Sequence, residues 1–155
     1  LGIEHAVVNA GGDLRAIGRK DGRPWRIGIR HPRAPGPIAA LEVAGDESVF
    51  TSGDYERYFE HDGRRYHHII DPRTGYPAAG AAAVTVIHDD ATTADAAATA
   101  LMVAGAGAWP PVARSLGVEA VFLVTRDGEV EMSPVMAARL ELTGDPPPPV
   151  RVLPL

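Results

Sequence analysis

The chain has 155 residues, a net charge of −5, no cysteine and a hydrophobic share of 45%. These values are typical of one globular domain with its own core, and they exclude disulfides, thiolate nucleophiles and zinc–thiolate sites. The arginines are scattered and Lys20 is the single lysine, so we expect no nucleic-acid partner. Any metal must bind to oxygen or imidazole, which favours a hard cation such as Mg²⁺.

The first half of the chain predicts short strands joined by tight turns. The apolar alternation and glycine turns predict strands at 5–9, 14–18, 24–30, 38–43 and 48–52. Asp21-Gly22 predicts a hairpin turn between two of them. Residues 53–63 predict a short irregular or helical piece with a second Asp-Gly turn. Further strands are expected at 64–70, ending at Asp71-Pro72, and at 82–88.

The second half changes character at residue 90. Its alanine-rich run predicts a helix over 90–105, with Asp and Thr at its start and Gly105 at its end. A second helix is expected from the prolines after Trp109 to Gly117, and then a strand, turn and strand over 119–132. The pattern predicts an α+β domain over residues 1–142, in which mixed or antiparallel hairpins pack with helices. Residues 143–155 form a proline-rich tail that we expect to be extended and poorly packed.

Asp95 and Thr99 lie four residues apart on the first predicted helix. This spacing places a carboxylate and a hydroxyl on one helical face, where both can reach a Mg²⁺ ion. A carboxylate near a helix N-terminus is also favoured by the helix dipole alone, and a threonine hydroxyl can bond back to a carbonyl. From these two residues alone, the structural interpretation is favoured.

Two polar glycine turns are weaker signals of a ligand site. In "NAGGD" (9–13), Gly11 and Gly12 allow the backbone to approach a phosphate, but a simple hairpin turn explains them equally. The spacing differs from that of a Rossmann turn. In "FTSGDYERYF" (50–59), Ser52 and Asp54 fit helix capping better than ligand binding.

Adjacent histidines stand in "YHHIIDPRTGYP" (66–77). On a strand, His67 and His68 point to opposite faces, so a metal site that uses both is not expected. One imidazole with a pKa near neutrality is suited to accept a proton from a hydroxyl. A half-buried structural histidine is the commoner outcome for such a residue.

Five motifs in this order closely resemble the ApbE family, the FAD:protein FMN transferases. They are "VNAGGD", "TSGDYERYF", "YHHIIDPRTGYP", "VTVI" and "DAAATAL", and the resemblance runs from about His5 to Met136. It implies an ApbE-like, T-fold-related α+β fold. It also implies Mg²⁺-dependent transfer of FMN from FAD to a Thr or Ser hydroxyl of an acceptor flavoprotein, with release of AMP.

The resemblance also assigns roles to residues. It implies that Asp95 and Thr99 bind Mg²⁺, helped by the backbone of Ala98, and that His68 is the base. It implies that Ile69 contacts FAD. It further implies that five residues help to form the site: Gly11, Gly12, Asp13, Ser52 and Asp54. His67 is then expected to be structural.

The family also has a half that precedes the "NAGGD" strand, with a Gly-Ala-x-x-Lys-Gly helix start that contributes to the metal and flavin site. Because that motif does not occur in these 155 residues, which start at Leu rather than Met, we expect a fragment, a short version or one piece of a two-piece protein. An apolar face left by that half favours self-association.

Two alternative activities stay open. One is an FAD pyrophosphatase that releases FMN and AMP, and the other is a non-catalytic flavin-binding fragment. Family members are often exported and lipid-anchored, but no signal peptide and no bilayer-spanning apolar run occur in these residues, so we make no prediction of the compartment.

Overall fold

The computed structural model describes residues 2–155. Its three helices are α1 (Ala91–Ala104), α2 (Trp109–Ser115) and α3 (Pro134–Ala137). The strands of the first half are β1 (Ala6–Ala10), β2 (Asp13–Ile17), β3 (Trp25–Arg30), β4 (Pro37–Val43), β5 (Glu47–Gly53), β6 (Tyr58–His61), β7 (Arg64–His67), β8 (Ile70–Asp71) and β9 (Tyr76–Pro77). Those of the second half are β10 (Ala83–His88), β11 (Ala120–Val124), β12 (Val130–Met132), β13 (Leu140–Leu142) and β14 (Val150–Val152). The predicted α+β class is confirmed.

A seven-stranded sheet forms the centre of the molecule. Its strand order is β1-β2-β5-β10-β11-β12-β14, and every neighbouring pair is antiparallel except β12 and β14. Strands β10 and β11 are buried on both faces, because they lie in the middle of the sheet and both faces are covered. No helix in the described part of the chain is long and apolar enough to cross a membrane.

Alternating side chains of the central strands pack into two separate hydrophobic cores, one on each face of the sheet. Phe122 and Val49 pack with Ile29 and Leu41 of a second, three-stranded sheet of order β13-β4-β3. On the opposite face, strand residues such as Leu123 pack against α1 and α2. The molecule therefore has three layers: the small sheet, the large sheet and the helices.

Two local expectations of the first half are wrong in part. The Asp21-Gly22 turn forms, and Lys20 pairs with Arg23 across it, but β2 and β3 enter different sheets. No helix forms between residues 53 and 63. Instead β6 pairs with β7 around the Asp62-Gly63 turn, since the aromatic side chains there favour a strand.

The strand expected over 64–70 is interrupted at its centre. β7 ends at His67, because the His68 N–H donates to the Arg57 carbonyl oxygen at 3.1 Å, and Ile69 packs into the helical core. The Ile69 carbonyl oxygen accepts from the Ala78 N–H at 2.9 Å. This break separates β7 from β8.

The C-terminal segment is also better packed than its composition predicts. β14 pairs in parallel with β12, and Leu153 and Leu155 pack on the helical core. Arg151 forms an ion pair at 2.9 Å with Glu131, whose side chain is buried. The sequence does not predict this strand, because four prolines precede it and its partner strand is distant along the chain. The division of the chain at residue 142 stays a prediction.

Candidate functional site

Asp95 and Thr99 lie on the exposed face of α1. The helix begins where the Asp90 carboxylate accepts the Thr93 N–H at 2.7 Å. Hydrogen bonding from the Thr93 side chain, and then from its backbone, lowers the pKa of Asp90. The opposite face is buried and consists mainly of alanines, which let the helix approach the sheet closely. Asp95 and Thr99 therefore lie one turn apart, free of the core.

A hydroxyl from the sheet meets the hydroxyl of the helix. The Ser52 Oγ and Thr99 Oγ1 atoms lie 3.0 Å apart and share a hydrogen bond, although 47 residues separate them. Ser52 is on β5, and its neighbour Thr51 forms a similar pair at 2.8 Å with Thr85 of β10. The Thr51–Thr85 pair fixes β5 relative to β10, and the Ser52–Thr99 pair fixes α1 relative to β5.

Asp13 supplies a second carboxylate at the start of β2. Burial raises the pKa of Asp13 above its ordinary value, and the negative charge of Asp95 raises it further. A hydrogen bond from the Thr51 backbone acts in the opposite direction. The effect of Asp95 on Asp13 means that a carboxylate on α1 acts electrostatically on a carboxylate on β2. Within residues 2–155, no group of three or more acidic or histidine side chains forms a cation cage.

Gly11 and Gly12 form the turn that leads into Asp13. Both adopt positive φ angles, 72° and 111°, a conformation that glycine adopts without strain. The Asn9 side-chain oxygen accepts the Gly12 N–H at 2.9 Å and fixes the turn. Asn9, Gly11 and Gly12, with Thr51 and Tyr55, line a cavity of about 310 Å³ beside β2, the strand that begins at Asp13.

His68 lies on the surface immediately after β7. Its Nδ1 atom lies 3.3 Å from the Arg57 carbonyl oxygen. Its neighbour His67 is buried, and its Nε2–H donates to the Ala78 carbonyl oxygen at 2.9 Å. The two histidines thus occupy different environments, and His68 is the one accessible to solvent and to a ligand.

Ile69 connects the histidine segment to the helix. Ile69 is buried in the same core as Ala94 and Ala98 of α1. Four residues further on, Arg73 binds Asp71, lowering the pKa of that carboxyl, and donates to the carbonyl oxygen of Val103 at 3.2 Å. Segment 68–73 is therefore fixed against α1 at two points.

Asp54 occupies a different position from the other acidic residues. Its carboxylate is buried and accepts two 2.6 Å bonds from Arg33, while Arg65 lies 3.5 Å away. Both oxygens of the Asp54 carboxylate are therefore hydrogen-bonded within the protein. Arg33 was missed by the sequence reasoning, since it lies outside every quoted motif. Asn9 and Thr51 lie within the quoted motifs but were not among the predicted site residues.

Three groups of predicted residues therefore emerge. One contains Asp13, Ser52, Asp95 and Thr99, with Ala98 buried behind Thr99. Another is the glycine turn beside the cavity. The third is the His68–Ile69 segment on α1, whereas the carboxylate of Asp54 is held by the two arginines.

Comparison with known proteins decides the family. The model of the ApbE family matches residues 1–122, and this match covers most of the chain. The chain belongs to the ApbE family. An FAD:protein FMN transferase from Rhodobacter capsulatus is 46% identical over 155 residues, which is 99% of this chain and 30% of that protein. One from Vibrio cholerae is 42% identical and matches 81% of this chain and 39% of its own length.

Solved ApbE structures share the fold. The crystal structure of the ApbE protein from Thermotoga maritima has a TM-score of 0.79 and 45% identity, covering 86% of this chain and 44% of that one. The apo form of the flavinyl transferase ApbE from Pseudomonas stutzeri has a TM-score of 0.66 and 46% identity, covering 83% and 40%. The chain thus spans less than half the length of each of these relatives.

Proposed function

We propose that this chain acts in the transfer of FMN from FAD to a Thr or Ser hydroxyl of an acceptor protein, with release of AMP. The observation that supports this most is the contact of Ser52 with Thr99, which lies one helical turn from Asp95. Asp13 on β2 adds a second carboxylate, whose pKa is raised by the charge of Asp95. The names of the chain's relatives, FAD:protein FMN transferases, agree with this proposal. As the chain spans a fraction of their length, the whole activity is part of the proposal.

The donor set fits Mg²⁺. Magnesium favours oxygen ligands and is commonly held by one or two carboxylates together with substrate phosphates, so a full protein cage is not required. Asp95 and Thr99 are the proposed ligands on α1, helped by the backbone of Ala98. Asp13 supplies the second negative charge. When bound, Mg²⁺ neutralises charge on the pyrophosphate of FAD.

Residues of the chain can also orient the substrate. Gly11 and Gly12 present an open turn to the cavity, where no Cβ atom blocks the approach of a phosphate or ring. Ser52 keeps the Thr99 hydroxyl in place. We propose that Ile69, whose side chain is largely buried beside α1, contacts FAD through its backbone or the small exposed part of that side chain. Asp54 acts as a positioning residue, because Arg33 and Arg65 occupy its carboxylate.

His68 is the proposed base. The acceptor hydroxyl oxygen forms a bond to the phosphorus atom of the FMN half, and the bond from that phosphorus to the bridging oxygen breaks. The hydroxyl proton passes to the imidazole of His68, and the bridging oxygen leaves with AMP. The exposed position of His68 allows an acceptor protein to reach it.

A product assay with matched histidine variants tests this proposal. The full chain is incubated with FAD, Mg²⁺ and a threonine-containing peptide, and AMP and the modified peptide are measured by mass spectrometry. We expect products from the wild type and from His5→Ala, which changes an exposed histidine before β1, but none from His68→Ala. Free FMN formed without the peptide would select hydrolysis instead. Equal product from both variants would remove His68 from the mechanism.

A further inference from the structure

The β6–β7 hairpin has one face directed towards the protein and one directed to solvent. Alternation places His67 and Arg65 on one face, where His67 is buried and Arg65 lies near buried Asp54. The opposite face therefore points outwards. It carries Phe59, Tyr66 and Arg64, which with the nearby Tyr76 we call the outer face.

The outer face is a continuous aromatic surface. The rings of Phe59 and Tyr66 stack with centroids 5.1 Å apart, and the Arg64 guanidinium lies 5.2 Å from the Tyr66 ring and 5.5 Å from that of Tyr76. Phe59 is 63% exposed and Tyr76 is 56% exposed. Contiguous exposed aromatic and arginine side chains are typical of protein-binding surfaces rather than of free surface.

The charge of the outer face comes from Arg64, one of six arginines without a carboxylate partner within residues 2–155. Eight other arginines have a carboxylate partner within the described residues: Arg15, Arg26, Arg30, Arg33, Arg65, Arg73, Arg139 and Arg151. Arg64 has none within residues 2–155 and contacts aromatic rings instead. An acidic side chain of a partner can therefore pair with this cation.

The position of this face relates it to the proposed base. β7 is followed directly by His68, which hydrogen-bonds to Arg57 just before β6. Tyr66 is two residues from His68, roughly 7 Å along a strand. An extended polypeptide on the outer face can therefore present a hydroxyl to His68 within two or three of its own residues.

We propose that the outer face of the β6–β7 hairpin docks the acceptor polypeptide. An apolar side chain of the acceptor packs on Phe59 and Tyr66, and an acidic side chain pairs with Arg64, close to the hydroxyl that receives FMN. This inference rests on the proposed function, because it places the partner at the same base.

Binding of labelled synthetic peptides tests the inference. One peptide contains Leu, Asp and Thr, and its counterpart has Lys in place of Asp. Fluorescence anisotropy measures their affinity for the full chain, for Arg64→Glu and for Phe59→Ser. The control variants are Arg126→Glu, in the turn before β12, and Val135→Ser, an exposed apolar residue on α3. Circular dichroism verifies that each variant is folded.

We expect the wild type and both controls to prefer the acidic peptide. Arg64→Glu and Phe59→Ser should each weaken its binding by about tenfold or more, and Arg64→Glu should reverse the preference between the two peptides. Equal binding of both peptides, no binding by the wild type, or a loss in the controls as large as that in the variants would overturn the inference.

Parallel measurements separate this inference from the proposed function. FAD binding with Mg²⁺ is titrated on the same variants, and sedimentation gives their oligomeric state. If FAD binding is intact and the outer-face variants bind the peptides as the wild type does, the docking surface alone is rejected. Peptide binding through the outer face without FAD binding would reject the transferase alone. A loss of FAD affinity in Phe59→Ser would assign the outer face to flavin binding. A loss of dimer in Phe59→Ser or Arg64→Glu would assign it to a second copy of the chain. Either result would overturn the inference.

Discussion

Replacing Asp54 with Asn separates a positioning role from direct FAD binding. The carboxylate is 3% exposed and accepts two 2.6 Å bonds from Arg33, so the change leaves two arginines with no full counter-charge. Removing one partner of a buried ion pair costs about 3–5 kcal/mol. Arg33 and Arg65 are 35% and 22% exposed, so water compensates in part and we expect about 2–3 kcal/mol.

This loss is large enough to measure by thermal unfolding. At about 2–4 °C per kcal/mol for a domain of this size, the midpoint of Asp54→Asn should fall by roughly 4–12 °C. The matched control is Asp62→Asn. The Asp62 side chain is 89% exposed, and asparagine tolerates the positive φ angle at this position, so the unfolding midpoint should not change. An unchanged midpoint for Asp54→Asn, together with weaker FAD binding, would refute the positioning role and restore Asp54 as a direct ligand.

Two further changes test other parts of the structure. Asp13→Asn should stabilise the chain without Mg²⁺ near neutral pH, because the raised pKa of Asp13 makes its ionised form unfavourable in the folded state. That penalty on the wild type appears as the pH rises from the ordinary pKa of 3.8 through the raised pKa of Asp13. Urea denaturation should therefore show that Asp13→Asn is more stable than the wild type at neutral pH, and that this difference disappears in acid. A variant less stable than the wild type at neutral pH would contradict this. Glu131→Gln should lower the free energy of unfolding by about 1–3 kcal/mol, since its buried carboxylate accepts hydrogen bonds from Gly107, Trp109 and Arg151. Urea denaturation measures it, and a loss no larger than that of the exposed Glu119→Gln would contradict the role of this carboxylate.

The sequence predicts elements well where the determining interactions are local. Helix α1 lies between the Asp90 cap and Gly105, and both signals were visible. The Asp21-Gly22 turn also forms, but a turn sequence does not determine which sheet each strand joins. β14 could not be predicted for the same reason, because its partner β12 lies across the turn, helix and proline segments.

The candidate site shows the same limit. Helical spacing places Asp95 and Thr99 together, but the contact between Ser52 and Thr99 depends on how α1 packs on β5, and no local pattern encodes it. Strand alternation separates His67 from His68, and their burial follows that separation. The roles of these residues came from the family resemblance and remain predictions.

The central claim is that Asp95 belongs to a Mg²⁺ site that binds FAD. Its most direct test is a calorimetric titration of the full chain with FAD, with and without Mg²⁺, for the wild type, Asp95→Asn and the turn variant Asp127→Asn as control. We predict that wild type and Asp127→Asn bind FAD tightly only with Mg²⁺, and that Asp95→Asn loses this dependence. FAD binding that ignores both Mg²⁺ and Asp95, or no binding by the wild type, would contradict the account.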